Sequence, residues 1–200
     1  VKQYETEILM EMLSPRNGEL VLDVGCGTGI FTEDVIGRGA RVVGLDISLP
    51  MLSCSIRKMA DQPFSGLTAD MNNLPFPDDT FDRTYSMTAV EFVPDARHAI
   101  AELNRVTKKD GTVVLTTLNS LSPWAERRMK EAESGHALFT SMTFRSPDDL
   151  AALVPGKPVI KTAVHFLKSE KIENIPEIEK EGQLTEKQTG AFLALSWKKL

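Results

Sequence analysis

The chain has 200 residues, 42% hydrophobic and 26% charged, and these proportions predict one globular domain, residues 1–200, with a substantial core. The net charge of −5 does not favour nucleic acid or an anionic membrane as a partner, and no apolar run approaches the roughly 20 residues of a membrane span. Cys26 and Cys54 fit neither a disulfide framework nor metal-ligand spacing, and the N-terminus, which starts at Val1 rather than Met, shows no secretory signal. We therefore expect a cytoplasmic protein without a metal site.

A helix, a buried strand and a glycine-rich turn come first. Apolar residues share one helical face within residues 2–13, and residues 21–24 are almost wholly apolar, as in a strand buried on both faces of a parallel sheet. Three glycines follow at alternate positions, namely Gly25, Gly27 and Gly29. A helical pattern continues to residue 36. Because glycines let a ligand approach the main chain and the first N–H groups of a helix favour an electronegative ligand, this segment predicts a nucleotide-like site.

Two acidic residues end the next two predicted strands. Residues 41–46 end at Asp46, and residues 64–70 end at Asp70, with a helix predicted between them at residues 49–59. In a doubly wound sheet, an acid at the end of the second strand can accept hydrogen bonds from both hydroxyls of a ribose. An acid at the end of the neighbouring strand can accept one from an exocyclic amine such as that of adenine. A surface-loop residue is the alternative for Asp46, but the pair of acids favours a nucleotide site.

Strands and helices continue to alternate up to residue 118. The predicted elements are a loop at residues 74–82, a strand at 83–87, a helix at 95–107, a turn at 108–111 and a strand at 112–118. This alternation predicts a parallel α/β sheet rather than a sandwich or a bundle. The loop at residues 88–92 follows a strand and would therefore lie on the ligand-binding face of the sheet.

The pattern changes after Asn119. Residues 120–145 are rich in Arg and Glu and follow the carboxyl end of a strand, so we expect a substrate-side insert or lid, with a solvated amphipathic helix as the alternative. Residues 146–154 form a capped helix. Residues 159–167 and 191–197 have the pattern of strands with no convincing helix between them, which predicts an antiparallel hairpin.

In combination these motifs resemble the class I S-adenosylmethionine-dependent methyltransferases, and among them the group of ubiquinone/menaquinone-biosynthesis-type and other small-molecule enzymes. The resemblance rests on the glycine-rich segment 23–29, Asp46, Asp70, the loop at 74–82 and the segment 103–111. It covers residues 20–118 in register. It implies a Rossmann-like three-layer α/β sandwich with a seven-stranded, mostly parallel sheet, in the order 3-2-1-4-5-7-6 and with strand 7 antiparallel.

The resemblance also implies which residues bind S-adenosylmethionine. Asp23 and the glycine turn would surround the methionine end, and Asp46 would bind the ribose hydroxyls. Asp70, with the backbone of Met71, would bind the adenine amino group. The full predicted set is Asp23, Gly25, Cys26, Gly27, Thr28, Gly29, Asp46, Ile47, Asp70, Met71, Ser86 and Met87. Where many relatives carry a His pair after the fourth strand, this chain has Val90-Glu91-Phe92.

The activity implied is methyl transfer from S-adenosylmethionine to a small-molecule acceptor by in-line substitution. Because the leaving group is a neutral thioether, the protein must supply approach geometry and exclude water, and it needs a base only for a nucleophile of high pKa. The candidates for this base are Tyr4, Glu91, Asn119 and His136. A purely structural role explains the presence of each of them equally well. The chain lacks an Asn/Asp-Pro-Pro-Tyr motif and a Pro-Cys pair, which favours a small-molecule acceptor.

Two other functions compete with this one. A nicotinamide-dependent oxidoreductase with a G-x-G-x-x-G fingerprint would need Gly at the position of Ile30, whereas the third glycine here is Gly29. A non-catalytic module with the same fold would bind the cofactor without chemistry, since every residue assigned above binds cofactor. An intact set of glycines and both acids would, however, be unusual in a protein that did not bind S-adenosylmethionine.

Overall fold

A seven-stranded sheet in the order β3-β2-β1-β4-β5-β7-β6 forms the centre of the fold. The computed structural model describes residues 1–200 and, of Leu138, the backbone alone. The strands are β1 (Leu20–Val24), β2 (Arg41–Asp46), β3 (Phe64–Thr68), β4 (Phe81–Ser86), β5 (Thr107–Leu118), β6 (Val159–Ala163) and β7 (Phe192–Lys198).

Helices cover both faces of the sheet. They are α1 (Lys2–Leu13), α2 (Thr32–Ile36), α3 (Leu49–Lys58), α4 (Ala96–Val106), α5 (Pro123–Glu133), α6 (Ala137–Thr140), α7 (Pro147–Ala151) and α8 (Ile175–Leu184). Single 3-10 turns precede α4 at Val90–Phe92 and α8 at Ile172–Asn174. Within the part of the chain that the structure describes, no helix combines the length and the apolarity needed to cross a bilayer.

The first five strands are parallel, and β7 runs antiparallel to both β5 and β6. The order and the reversed seventh strand confirm the predicted sheet. β1 lies between β2 and β4, so the turn that follows it emerges at the middle of the sheet. That position, at the carboxyl ends of parallel strands, is where open α/β sheets bind ligands.

β1 is buried on both faces because its side chains alternate between two apolar cores. Val21 belongs to a cluster with Leu9 and Leu13 of α1, whereas Leu22 belongs to a cluster with Leu103 of α4. In α4 the buried residues recur at helical spacing, and they are Ala96, Ala99, Ile100, Leu103 and Val106. These two cores hold β1 rigidly beneath the turn at its end.

Two of the predicted element boundaries are wrong, and one helix was not predicted. Residues 108–111, where a turn was expected, lie within β5. Thr107 already pairs with Phe81 of β4, and the pairing of the two strands changes register between Phe81 and Arg83. The strand expected at residues 159–167 ends at Ala163, because Val164 takes a left-handed conformation with φ of 64°. A helix, α8, lies between the last two strands where none was expected.

Candidate functional site

A cavity of about 490 Å³ lies at the carboxyl ends of the central strands. Its walls come from the ends of β1, β2 and β4, from the loop after β3, and from the first turn of α3. All but two of the twelve residues assigned to the cofactor from the sequence line it, namely Asp23, Gly25, Cys26, Gly27, Thr28, Asp46, Ile47, Asp70, Met71 and Met87. The structure therefore brings the glycine turn and both acids together in one cavity.

Gly25 begins the turn after β1 in a left-handed conformation, with φ of 76°. Its N–H and that of Cys26 donate to the carbonyl of Leu45, at 2.7 and 3.0 Å, so the turn is fastened to the end of β2. A Cβ atom at Gly25 would lie 2.5 Å from the Cβ of Ala89. Glycine is therefore required here both by the backbone angle and by the close approach of the loop after β4.

Two of the assigned residues, Gly29 and Ser86, do not line the cavity. Gly29 faces α3, and a Cβ atom there would lie 2.5 Å from Met59 Cε. Ser86 is fully buried at the end of β4, and its Oγ has no hydrogen-bond partner among the described residues. The structure gives Gly29 a packing position between the turn and α3.

The Asp46 carboxylate is fixed by the turn that it faces. Its Oδ2 accepts a hydrogen bond from the Gly27 N–H at 2.7 Å, and its Oδ1 accepts one from the Ser48 N–H at 2.8 Å. The residue is only 8% exposed. Because each carboxylate oxygen can accept a second hydrogen bond, both oxygens retain a free site toward the cavity.

Asp23 is buried beneath the turn. Its Oδ2 accepts hydrogen bonds from Thr32 Oγ1 and from the Tyr85 hydroxyl, both at 2.6 Å. Burial raises the pKa of this carboxyl to about 6, and the two hydrogen bonds oppose that rise without cancelling it. The negative charge of Asp46 adds to the increase. Asp23 thus places a costly buried carboxylate at one end of the cavity.

The loop after β3 supplies the other end of the cavity. Asp70 is exposed, and its Oδ1 accepts a hydrogen bond from the Asn72 N–H at 2.9 Å. Asn72 also lines the cavity, and its buried Oδ1 has no hydrogen-bond partner among the described residues. A buried polar atom of this kind normally has a partner, so Asn72 offers a ready acceptor for a donor on a ligand.

Thr88 lies in the cavity wall in an unusual backbone conformation. Its φ is 47°, a left-handed value that is rare for a β-branched residue. The Thr88 N–H donates to Thr116 Oγ1 at 3.0 Å, which holds the loop after β4 to the end of β5. A strained backbone conformation of this type persists only where the surrounding structure enforces it. Such residues are concentrated at ligand sites.

None of the four candidates for a catalytic role lines the cavity, within the described residues. Tyr4 packs edge-on against Phe166, with the ring centroids 5.8 Å apart, and His136 is exposed and stacked on Phe139. Asn119 Nδ2 donates to the carbonyls of Gln188 and Gly190. Its Oδ1 accepts from the Leu121 N–H, so the Asn119 side chain has a structural role.

Glu91, the fourth candidate, is buried beside the cavity, in the 3-10 turn that also carries the cavity residue Phe92. Its side chain is 1% exposed, Oε2 accepts a hydrogen bond from Thr117 Oγ1 at 3.2 Å, and Oε1 has no partner among the described residues. Burial raises the pKa of Glu91 to about 7, although Arg145 and Arg128 lower it in part.

Comparisons with known proteins agree with this arrangement. Residues 22–115 match the family described as "Methyltransferase domain". A malonyl-[acyl-carrier protein] O-methyltransferase of Serratia marcescens is 30% identical over 181 residues, which cover 80% of this chain and 70% of that protein. The chain belongs to the class I S-adenosylmethionine-dependent methyltransferases. A demethylmenaquinone methyltransferase of Thermobifida fusca (strain YX) is also 30% identical, over 166 residues that cover 74% of this chain and 70% of that protein.

A solved methyltransferase structure shares the whole fold. The protein from Thermotoga maritima, described as a possible histamine N-methyltransferase, has a TM-score of 0.75 and 18% identity, covering 99% of this chain and 90% of that chain. Some relatives in the same family are longer than this chain. The chain spans about half the length of several malonyl-[acyl-carrier protein] O-methyltransferases, for example 50% of the protein from Hamiltonella defensa.

Several cavity residues of this methyltransferase domain were not identified from the sequence. Ile30, Met51 and Phe92 are large, partly exposed apolar residues that form the rim of the cavity together with Ile47, which is 72% exposed. Each belongs to a segment with an ordinary helical or loop pattern, so its exposure could not be foreseen. Asn72 could have been noticed, since it comes two residues after Asp70.

Proposed function

We propose that this protein binds S-adenosylmethionine in the cavity and transfers its methyl group to a small-molecule acceptor. The observation that supports this most strongly is the charge of the cavity wall. The described lining residues include three carboxylates, Asp23, Asp46 and Asp70, and no Lys, Arg or His. Such a wall suits a ligand with a sulfonium and an ammonium group and disfavours the pyrophosphate of a nicotinamide cofactor.

The polar groups of the cavity match the parts of S-adenosylmethionine. The free acceptor sites of Asp46 suit the two ribose hydroxyls, and the acceptors of Asp70 and Asn72 suit the adenine amino group. Asp23, at the opposite end, suits the ammonium group of the methionine portion. The relatives named above act, by their names, on malonyl-[acyl-carrier protein] and demethylmenaquinone, which supports a small or carrier-linked acceptor.

The protein's part in the reaction is to orient the reactants and exclude water. Bound S-adenosylmethionine supplies an electrophilic methyl group and a neutral thioether leaving group. Met87, Phe92 and Val93 line the cavity with apolar surface beside the loop after β4. That surface keeps water from the methyl group and leaves an approach path for the acceptor from the same side.

Residues 120–145 form part of this proposal as a cover on the acceptor side of a single domain. The segment contains α5 and α6, and the Thr143 N–H near its end donates to the carbonyl of Glu91 at 2.8 Å. On the other side, Trp124 Nε1 donates to the Phe166 carbonyl at 2.7 Å. The contact with Glu91 supports a position of this segment over the loop after β4, and the contact with Phe166 holds its other end to the loop after β6. A cytoplasmic location, consistent with two free cysteines, completes the proposal.

Titration calorimetry of the full chain tests the cofactor. We expect binding of S-adenosylmethionine and S-adenosylhomocysteine and no binding of NADH, and the reverse result would overturn the proposal. Methyl transfer is then followed with [methyl-13C]-S-adenosylmethionine and a mixture of small molecules. Cofactor binding without transfer to any component would instead support a non-catalytic binding module.

A further inference from the structure

Two buried polar atoms that belong to side chains of opposite charge have no partner within the described part of the chain, one in the 3-10 turn that carries the cavity residue Phe92 and one in α5. Among the described residues, neither Glu91 Oε1 nor Arg128 Nη1 makes a hydrogen bond. Leaving such groups unpaired costs free energy, more so for charged groups, so native structures rarely keep them without a purpose. The two groups are therefore candidates for contacts with a ligand.

Glu91 and Arg128 are near each other but do not form an ion pair. Each perturbs the pKa of the other, yet no nitrogen-to-oxygen distance within 4.0 Å joins them among the described residues. Arg128 is held over the Trp124 ring, 5.7 Å from its centroid. Glu91 is held by Thr117 at the end of β5. Each side chain is therefore held by a neighbour that leaves its unpaired atom without a partner among the described residues.

The remaining charged groups around the pair come from two other elements and from α5 itself. Arg145, in the segment before α7, is buried and donates to the Val90 carbonyl at 3.4 Å, and its charge also acts on Glu91. Glu5 of α1 also acts on Arg128, as do Arg127 and Glu131 of its own helix. Arg145 therefore offsets the charge of Glu91, and Glu5 offsets that of Arg128. The pair itself is not neutralised by direct contact.

We propose that Glu91 and Arg128 bind the methyl acceptor, with Glu91 taking the proton of an acceptor hydroxyl and Arg128 binding a carbonyl or carboxylate oxygen beside it. This inference rests on the proposed methyltransferase function. Phe92, the next residue after Glu91 in the same 3-10 turn, lines the apolar end of the cavity, which places the backbone of Glu91 at the cavity wall.

The chemistry of Glu91 favours a hydroxyl over other nucleophiles. A carboxylate acceptor is already ionised and would be repelled by a buried carboxylate, whereas a neutral amine can attack without losing a proton first. A hydroxyl gains most from a base whose pKa lies near the working pH. The raised pKa of Glu91, about 7, meets that condition.

The step is balanced with the groups present. The hydroxyl proton passes to the Glu91 carboxylate while the oxygen lone pair forms the new C–O bond to the methyl carbon. The C–S bond breaks, and its electron pair stays on sulfur as the neutral thioether of S-adenosylhomocysteine. The products are the methyl ether of the acceptor and a protonated Glu91, which then releases its proton to water.

The class of the methylated product tests the proposal. The full chain is incubated with [methyl-13C]-S-adenosylmethionine and a low-molecular-weight bacterial extract supplemented with dicarboxylates, phenolic acids and amino acids. We expect the label in a methyl ether, which 13C NMR identifies and which survives mild alkaline hydrolysis. Label in a methyl ester or in an N-methyl group would overturn the proposal.

Variants then test the two residues on that product. Glu91→Gln should lower kcat/KM by about 10²–10⁴-fold, the range for loss of a general base, with calorimetric affinity for S-adenosylhomocysteine unchanged. Arg128→Met should raise the acceptor KM roughly 10–100-fold, as expected for the loss of a charged hydrogen bond. Matched controls are Glu126→Gln and Lys130→Met, since those residues form an exposed ion pair on the helix that carries Arg128.

The pH profile separates a base from a merely structural glutamate. In the wild type, kcat/KM should rise with pH through about 7, where Glu91 ionises, and then level off. Glu91→Gln should lack that rise. An unchanged profile or unchanged kcat/KM in this variant overturns the inference, while absence of cofactor binding or of any labelled product refutes the proposed function itself.

Discussion

At the scale of single residues, Asp46 combines two roles that are usually separate. Its oxygens hold the Gly27 and Ser48 amides in place, and the same oxygens face the cavity. The turn is therefore held in place before any ligand arrives, because the carboxylate proposed to bind the ligand also fixes the backbone around it. Such preorganisation reduces the ordering cost of binding.

Asp46→Ala should weaken binding of S-adenosylhomocysteine by about 1.5–3 kcal/mol, the range for hydrogen bonds to a charged group. The physical reason is the loss of the ribose contacts, and the release of the Gly27 amide adds to it. Calorimetry at constant pH measures the change. Asp61→Ala, which removes an exposed acid from the loop before β3, is the control. Equal affinity in Asp46→Ala and the wild type would show that the ribose lies elsewhere.

Asp23 should reduce the stability of the ligand-free protein at neutral pH. Its folded pKa is about 6, whereas an unfolded aspartate titrates near 3.9. Between these two values the folded state binds more protons than the unfolded state, so the stability contributed by this group falls as pH rises from about 4 to about 6. Above pH 6 the whole cost of ionising a buried carboxyl remains.

Asp23→Asn should therefore raise the free energy of unfolding at pH 7 by about 1–3 kcal/mol, since one pKa unit corresponds to about 1.4 kcal/mol. The gain should disappear below about pH 4, where both states of Asp23 are protonated. Urea denaturation at pH 7 and at pH 4 measures both. The same variant should bind S-adenosylmethionine less tightly. A variant less stable than the wild type at pH 7 would mean that the hydrogen bonds from Thr32 and Tyr85 outweigh the buried charge.

At the scale of secondary structure, the sequence predicted elements whose buried positions are apolar and periodic. β1, β2 and α4 follow such patterns, so their positions were foreseen to within a few residues. α8 was missed because its buried residues are Glu179 and Gly182. Ile175 and Ile178 are only partly buried against the core, and Glu179 accepts hydrogen bonds from the Val164 and His165 N–H groups, so this helix combines a weak apolar face with polar contacts that a hydrophobic pattern does not reveal.

The residues of the cavity could likewise be predicted only in part. The glycines and acids that touch the cavity through backbone and carboxylate groups were predicted, because their spacing after a strand has a chemical meaning. Of the apolar rim, Ile47 was predicted beside Asp46, whereas Ile30, Met51 and Phe92 were not, since an exposed apolar side chain has no signature in a single sequence. Nor could the sequence show that Glu91 Oε1 and Arg128 Nη1 would both lack a partner.

Proteases should cleave the segment 120–145 more slowly when S-adenosylhomocysteine is bound. Arg127, Arg128 and Lys130 in α5 are targets for trypsin, and two of them are exposed. We expect bound S-adenosylhomocysteine to restrict the loop after β4, to which Thr143 is hydrogen-bonded, and hence to slow cleavage in this segment. Limited trypsin digestion with mass spectrometry measures it. Cleavage at Arg38, at the end of α2 and outside the segment, is the control. Equal cleavage of α5 with and without ligand would count against a cover.

At the scale of the whole molecule, the two ends of the sheet have different tasks. At the amino ends of the strands, Arg83 bonds to Glu19, Thr112 and the Leu13 carbonyl, which ties α1, β4 and β5 together. At the carboxyl ends, Glu91 Oε1, Asn72 Oδ1 and Ser86 Oγ are buried without partners among the described residues. Polar groups are therefore paired where the sheet is stabilised and left available where a ligand would bind.

This division predicts that ligand binding stabilises the entire chain and not only the cavity. The ligand would contact the ends of β1, β2 and β4, which are the centre of the sheet and share both apolar cores, so opening the site requires disrupting the fold. A ligand that binds the folded state alone at 100 times its Kd adds about 2.7 kcal/mol to the free energy of unfolding. For a domain of this size that corresponds to a rise in Tm of roughly 5–11 °C.

Differential scanning calorimetry with S-adenosylhomocysteine at 100 times its measured Kd checks this value. The shift should grow with the logarithm of ligand concentration and should remain a single transition, because the two cores share the strands that the ligand contacts. NADH at the same concentration should give no shift, and Asp46→Ala should need a higher concentration of S-adenosylhomocysteine to reach the wild-type value. If only one of two separate transitions moved, the cavity would belong to a unit that unfolds independently, and the central position of β1 would not couple the site to the whole fold.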